Sequence, residues 1–164
     1  MTLTTHAIVG AATAQFFPNR PLAAFSAGFL SHFIIDSLPH WDYSLLSLKR
    51  DFNNHLNDDM ILNKYFLIDL AKVGFDMCAG IILSILIFTK LDNSSFWLTF
   101  IGAAGGIAPD PFQFLYWKIR REPLTSLQRL HMWIQEKNAF EKRPLPGLLI
   151  QLIVISIAVY LTKI

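Results

Sequence analysis

Residues 31–43 read SHFIIDSLPHWDY, the end of an apolar helix that nevertheless holds two histidines and two carboxylates. His32 and Asp36 are four residues apart, so they would share one face of a helix. His40 and Asp42 follow just beyond the helix end. Imidazole together with carboxylate suits zinc or a related divalent ion. The stretch therefore predicts a metal site where an apolar helix ends, with a buried hydrogen bond between His32 and Asp36 as the simpler alternative.

The composition around this stretch favours a membrane protein. Of the 164 residues, 53% are hydrophobic and only 16% are charged, and the mean hydropathy is +0.41. Soluble domains usually carry about 25% charged residues. We expect a single helical membrane domain over residues 1–164, without a signal peptide. A net charge of +2, with no dense basic run among aromatics, argues against a nucleic-acid partner.

Apolar runs predict an all-α fold, an integral-membrane bundle of about five helices. The run nearest the C-terminus is uncharged and is the best transmembrane candidate, although buried helices of a soluble bundle are an alternative for the shorter runs. The small residues GAAGG at 102–106 predict close helix packing. The five predicted helices cover residues 3–17, 21–38, 65–89, 95–108 and 146–162.

The distribution of basic residues predicts an orientation. If segments 39–64 and 116–145 face the cytoplasm, they place ten basic residues there and leave three on the opposite side, as the positive-inside rule describes. We therefore expect five crossings of a bacterial inner membrane, with a cytoplasmic N-terminus and an outer C-terminus. The ten are Lys49, Arg50, Lys64, Lys118, Arg120, Arg121, Arg129, Lys137, Lys142 and Arg143, and the three are Arg20, Lys90 and Lys163.

Further ionisable residues fall on the same predicted side of the membrane. Asp76 stands out, because a carboxylate at membrane depth is costly and is usually functional. Each of the others also has a structural interpretation, such as a turn aspartate, a loop histidine or a pair with a nearby lysine. The further candidates are His6, Asp69, Asp110 and His131.

Other chemistries lack their motifs. Cys78 is the single cysteine, which excludes an internal disulfide and a cysteine-based zinc site; its apolar surroundings predict a thiol packed in the core. No serine stands in a G-x-S-x-G elbow, and neither H-E-x-x-H nor a phosphate-binding glycine loop is present.

Three segments carry a family resemblance. GFLSHFIIDSLPHWDY at 28–43 resembles the G-[FY]-L-x-H-x-x-x-D-x-x-x-H stretch of the zinc-dependent phospholipase C-like family. GGIAPDPFQFLYW at 105–117 resembles that family's G-x-x-x-P-D-x-F-x-F stretch, and LQRLHMW at 127–133 resembles its histidine segment. The opening TTHAIVGAATA at 4–14 is similar to the start of membrane-bound metal-dependent hydrolases.

The resemblance implies a helical, metal-dependent hydrolase of phosphoester bonds. Two departures favour one or two metals over three: the P-D stretch follows the His-Asp helix, and Gln135 stands four residues past His131 in place of a glutamate. The metal ligands implied by the resemblance are His6, His32, Asp36, His40, Asp110 and His131.

We therefore predict a membrane-embedded hydrolase that acts on a lipid or lipid-linked phosphoester at the cytoplasmic membrane edge. Its cofactor would be a divalent metal, with zinc as the expected ion, that activates a bound water. Asp76 or Asp42 is the predicted general base, and Lys72 or Arg129 the predicted phosphate-binding group. A divalent metal transporter, which needs polar groups along the whole membrane depth, and a non-catalytic membrane scaffold are the alternatives. The sequence leaves the oligomeric state open.

Overall fold

The computed structural model describes residues 1–89, 93–135, 140 and 143–163, with the backbone alone at 93 and 94. Within these residues the chain is all-helical, as predicted, apart from a two-stranded antiparallel pair and one short 3-10 helix. The α-helices are α1 Leu3–Ala14, α2 Pro21–Asp36, α3 Phe66–Phe88, α4 Asn93–Ile107, α5 Pro109–Ile119, α6 Leu124–Gln135 and α7 Pro144–Leu161. Between α2 and α3 lie β1 Leu48–Lys49, the 3-10 helix His55–Asn57 and β2 Asp59–Met60.

All five predicted helices are present as α1 to α4 and α7, with ends within three residues of the predicted ones. The number of helices was nevertheless too low, because α5 and α6 lie at 109–135, most of which we expected to be a basic loop. Both helices are short and carry many polar residues, so a scan for apolar runs misses them. Pro109 begins α5, where its ring suits the first turn of a helix.

Helix α1 forms the centre of the bundle. Ten of its twelve residues are buried, and α2, α3, α4 and α7 all pack against it. The predicted close packing of 102–106 is confirmed: a Cβ added at Gly102 would lie 2.6 Å from the Gly10 carbonyl oxygen, and one at Gly106 would clash with the His6 carbonyl. Helix α4 runs opposite to α1 and brings its backbone directly beside His6.

The N-terminus of α1 is capped from α3. The Asp76 carboxylate accepts hydrogen bonds from the Leu3 N–H at 2.7 Å, the Thr4 N–H at 3.1 Å and the Thr4 hydroxyl at 2.6 Å. A carboxylate at this place satisfies free N–H groups and interacts favourably with the helix dipole. The contact fixes the start of α1 against α3, and His6 lies about one turn farther on.

Hydrogen bonds from α3 and α7 help to fix the first part of the segment between α2 and α3. The fully buried Asp69 of α3 accepts hydrogen bonds from the Ser47 N–H and hydroxyl, both at 2.6 Å. Gln151 of α7 donates to the Trp41 carbonyl at 2.8 Å. These bonds hold the residues that follow α2 near the N-terminus of α1.

Of the helices in the described part of the chain, α3 and α7 are long and apolar enough to cross a membrane by length and composition, while Pro21–Asp36 and Ser95–Ile107 are shorter apolar helices. The prediction that Cys78 packs in the core is wrong, because its side chain is exposed. One face of α3, with Val73, Met77 and Ile81, packs against the core, and Cys78 lies on a different face.

Candidate metal centre

Six predicted ligand residues meet at one end of the bundle. They come from the N-terminal half of α1, the last turns of α2, the segment after α2, the first turn of α5 and the middle of α6. All are at most 3% exposed except Asp110, whose side chain is 28% exposed. The six are His6, His32, Asp36, His40, Asp110 and His131.

Four ligand atoms of this group lie close together. His32 Nε2 lies 3.2 Å from Asp36 Oδ2, 3.6 Å from Asp110 Oδ1 and 3.2 Å from His131 Nε2. His131 Nε2 lies 3.3 Å from Asp36 Oδ2 and 3.8 Å from Asp110 Oδ1. Around zinc, with bonds near 2.1 Å, two ligand atoms at tetrahedral corners stand about 3.4 Å apart. The separations of 3.2–3.3 Å within the triad His32, Asp36 and His131 match this value, so these three atoms fit around one such ion, with Asp110 Oδ1 beside the two histidines.

The second oxygen of Asp36 faces a different set of groups. Oδ1 lies 3.1 Å from His6 Nε2 and 3.8 Å from His40 Nε2. The Met1 amino group donates to Oδ1 at 2.7 Å and lies 2.8 Å from His40 Nε2. Asp36 thus stands between two groups of nitrogens, one on each carboxylate oxygen.

Backbone carbonyls orient two of the histidines. His32 Nδ1 lies 2.8 Å from the Gly106 carbonyl oxygen, and His40 Nδ1 lies 2.8 Å from the Leu38 carbonyl oxygen. A carbonyl only accepts, so each Nδ1 carries the proton and each Nε2 presents a lone pair to the cluster. Metal-binding histidines are usually held in this way. The close approach of α4 to α1 and α2 is what brings the Gly106 carbonyl within reach.

His6 is fully buried without a well-formed hydrogen bond. Among the described residues its Nδ1 has no partner, and its Nε2 approaches only Asp36 Oδ1, at 3.1 Å but outside hydrogen-bond geometry. Its ring stacks on that of His32 with 3.7 Å between centroids. Buried polar groups nearly always find a partner. An ion beside Asp36 would supply one, so this nitrogen fits the metal interpretation better than a purely structural one.

Gln135 belongs to the site although its sequence position did not reveal a role. Its side-chain amide donates to Asp36 Oδ2 at 3.1 Å. It lies one turn after His131 on α6, so a spacing of four residues was the signal that could have found it. An amide at this place orients the carboxylate without adding negative charge.

The charge states at the edge of the cluster follow from burial. Burial and the positive amino terminus lower the pKa of His40 to about 4, so this imidazole is neutral at neutral pH. Burial raises the pKa of Asp42 to about 7. Burial opposes the charge of the Met1 amino group, but the carboxylates of Asp36, Asp42 and Asp110 outweigh it and raise its pKa.

The remaining predicted site residues lie outside the cluster. Asp42 lines a cavity beside it, and so does Arg129, which is exposed on α6. Asp76 caps α1, so its carboxylate is already engaged with backbone donors. Lys72 lies 3.7 Å from Asp69 and is 43% exposed, and it does not line the cavity.

The donor set of four imidazoles and two carboxylates suits zinc or another divalent ion of similar character. Two overlapping triads, His6–His32–Asp110 and His32–Asp36–His131, each keep their ligand atoms within 4.8 Å of one another. Comparison with protein-family models, with curated proteins and with solved structures finds no match to this chain.

Proposed function

We propose that the protein is a membrane-embedded, metal-dependent hydrolase of phosphoester bonds in a lipid or lipid-linked substrate. The observation that carries this proposal is the spacing of His32 Nε2, His131 Nε2 and Asp36 Oδ2, which lie 3.2–3.3 Å apart, with Asp110 Oδ1 3.6 and 3.8 Å from the two histidines. The buried His6, whose ring nitrogens make no well-formed hydrogen bond within the described residues, adds support.

A divalent ion in this place would supply a Lewis acid and an activated water. Asp110 is the one partly exposed ligand, so the open side of the centre faces the cavity, as a catalytic site requires. Asp42 lines the same cavity and is the base that receives a proton there.

Exposed apolar surface supports a membrane location. In α3 and α7 only 11% of the most apolar window is buried, and side chains such as Phe75, Leu86 and Leu152 are 79%, 73% and 59% exposed. Contiguous apolar surface of this kind marks contact with lipid or with another protein. The start of α1 is bonded to Asp76 of α3 and to Gln151 of α7, so the cluster lies beside the first halves of these two helices. The excess of basic residues in 39–64 and 116–145 favours the cytoplasmic side, and hence an inner membrane.

The metal assignment is tested by comparing two buried aspartates. Asp36→Asn keeps the shape of the side chain but removes the charge that an ion needs. Asp69→Asn is the matched control, because Asp69 is equally buried but binds the Ser47 backbone and hydroxyl. We expect elemental analysis to find a divalent ion in wild type and Asp69→Asn, and a large loss in Asp36→Asn. Asp69→Asn should instead cost about 1–3 kcal/mol of unfolding free energy.

Chelation gives a second measurement. A ligand that binds only the folded state at 100 times its dissociation constant stabilises it by about 2.7 kcal/mol, so a chelator should lower the melting temperature of wild type but not of Asp36→Asn. Metal-free wild type with unchanged melting would refute the centre. Metal-loaded protein that fails to release phosphate or phosphoalcohol from vesicle lipids would instead favour a transporter or a scaffold.

A further inference from the structure

A large cavity adjoins the metal centre. It has a volume of about 890 Å³ and lies between the first half of α3, α5, α6 and the segment that follows α2. This volume is at the upper end of the range for small-molecule sites, about 300–1,000 Å³. Its walls are mainly apolar, with lining residues that include Leu70, Val73, Met77, Phe114, Trp117 and Met132.

One end of the cavity is polar and belongs to the centre. Asp110 lines the cavity and also lies 3.6 Å from His32 Nε2 of the cluster. Gln135 lines it and donates to Asp36, and Asp42 lies at the same end. A molecule that fills the cavity therefore touches the His/Asp cluster with one end and apolar side chains with the rest.

The cavity is also open to the apolar outer surface. Leu70 and Trp133 line it and are 51% and 72% exposed. Leu70 stands on α3, one of the two helices able to span a membrane. Arg129 of α6 lines the cavity as well and supplies a cation. The cavity therefore has an entrance beside α3, an apolar body and a polar end with a cation. These features match one kind of molecule, an amphiphile with a phosphate group.

We propose that this cavity binds one hydrocarbon chain of the substrate inside the protein, with the phosphoester held at the His/Asp cluster. The proposal rests on the proposed function for the headgroup, but the chain site is defined by the apolar walls from α3, α5, α6 and the segment that follows α2. A soluble phosphoester without a chain would leave the apolar walls uncovered. Chain-bearing phosphoesters are therefore the substrate class, and Arg129 pairs with the phosphate.

Gly74 provides a way to close the cavity. It lines the wall, and a Cβ added there would meet no atom within 4 Å. Gly74→Phe should fill the space without displacing a neighbouring helix, and Gly74→Ala is the matched control. Met132→Phe, from the opposite wall, is a second closing variant if Gly74→Phe fails to fold.

Trp117 reports occupancy. It lines the cavity and is only 8% exposed, so quenchers in the surrounding lipid do not reach it. The full-length protein, in nanodiscs of unbrominated lipid, is titrated with dodecyl phosphate or dodecanol brominated along the chain. Quenching lost in Trp117→Phe is the signal of interest, because the exposed Trp97 and Trp133 contribute equally to both proteins.

We expect both probes to quench Trp117 in wild type and in Gly74→Ala. Gly74→Phe should weaken the binding of both probes by at least about tenfold, the loss expected when the burial of roughly two methylene groups is removed. Asp36→Asn should weaken the binding of dodecyl phosphate but leave the binding of dodecanol unchanged.

Two results would overturn the chain site: equal binding to Gly74→Phe, Met132→Phe and Gly74→Ala, or displacement of the probe by inorganic phosphate as effectively as by unbrominated dodecyl phosphate. If Asp36→Asn instead leaves dodecyl phosphate binding unchanged while Gly74→Phe still blocks it, the chain site stands and the metal-dependent headgroup site fails.

Discussion

Replacing Gly80 by alanine should separate two opposite effects of the same methyl group. The new Cβ would lie 2.7 Å from Thr4 Cα and 2.8 Å from Ala7 Cβ, whereas carbon atoms in contact prefer about 3.5–4.0 Å. The neighbours belong to the buried helix α1, so α3 must move away by roughly 1 Å. At Gly74, on the same helix, the added Cβ meets nothing within 4 Å.

Comparing Gly74→Ala with Gly80→Ala gives the expected change in the free energy of unfolding. Alanine stabilises a helix interior by about 0.8–1.0 kcal/mol relative to glycine, and this gain is common to both substitutions. Overpacking costs about 1–3 kcal/mol and applies only to Gly80. We therefore expect Gly74→Ala to raise the free energy of unfolding by up to ~1 kcal/mol and Gly80→Ala to leave it unchanged or lower it by up to ~2 kcal/mol.

Thermal unfolding in detergent, followed by circular dichroism, measures the difference. For a chain of this size 1 kcal/mol corresponds to roughly 2–4 °C, so the two variants should differ by several degrees. Gly80→Ala should also lose part of its metal, because α3 carries Asp76, which holds the start of α1 and hence His6. Equal melting temperatures for the two variants would show that the close packing of α1 on α3 is not as described.

Two further predictions concern the cap of α1 and the orientation. Asp76→Ala removes the acceptor for the Leu3 and Thr4 donors and should cost about 1–3 kcal/mol of unfolding free energy; denaturant unfolding measures this, and a shift below ~0.5 kcal/mol would mean that water replaces the cap. Reporter fusions should place 39–64 and 116–145 in the cytoplasm and the C-terminus outside, and a cytoplasmic C-terminus would contradict the orientation.

Much of the helical architecture could be predicted from the sequence. Uninterrupted apolar runs marked α1 to α4 and α7 because a helix that buries or exposes to lipid its whole surface needs no polar face. The short helices α5 and α6 were not predicted, because their polar residues resemble those of a loop. Helices α5 and α6 pack against each other and against α2, α4 and β2. These contacts cannot be deduced from local composition.

Local spacing alone determined that His32 and Asp36 share a helix face, and the resemblance added the other four ligands. Only the tertiary structure decided which groups meet Asp36. His131, ninety-five residues away in the chain, reaches Oδ2, while His6 and the Met1 amino group face Oδ1. It also made Asp76 the cap of α1 and gave Asp69 a partner in Ser47, because these side chains lie beside α1 and the segment after α2. The physical reason is that a sequence pattern specifies which face of a helix a side chain occupies, whereas the partner on that face depends on how closely the helices pack. Here the glycines of α1 and α4 set that distance.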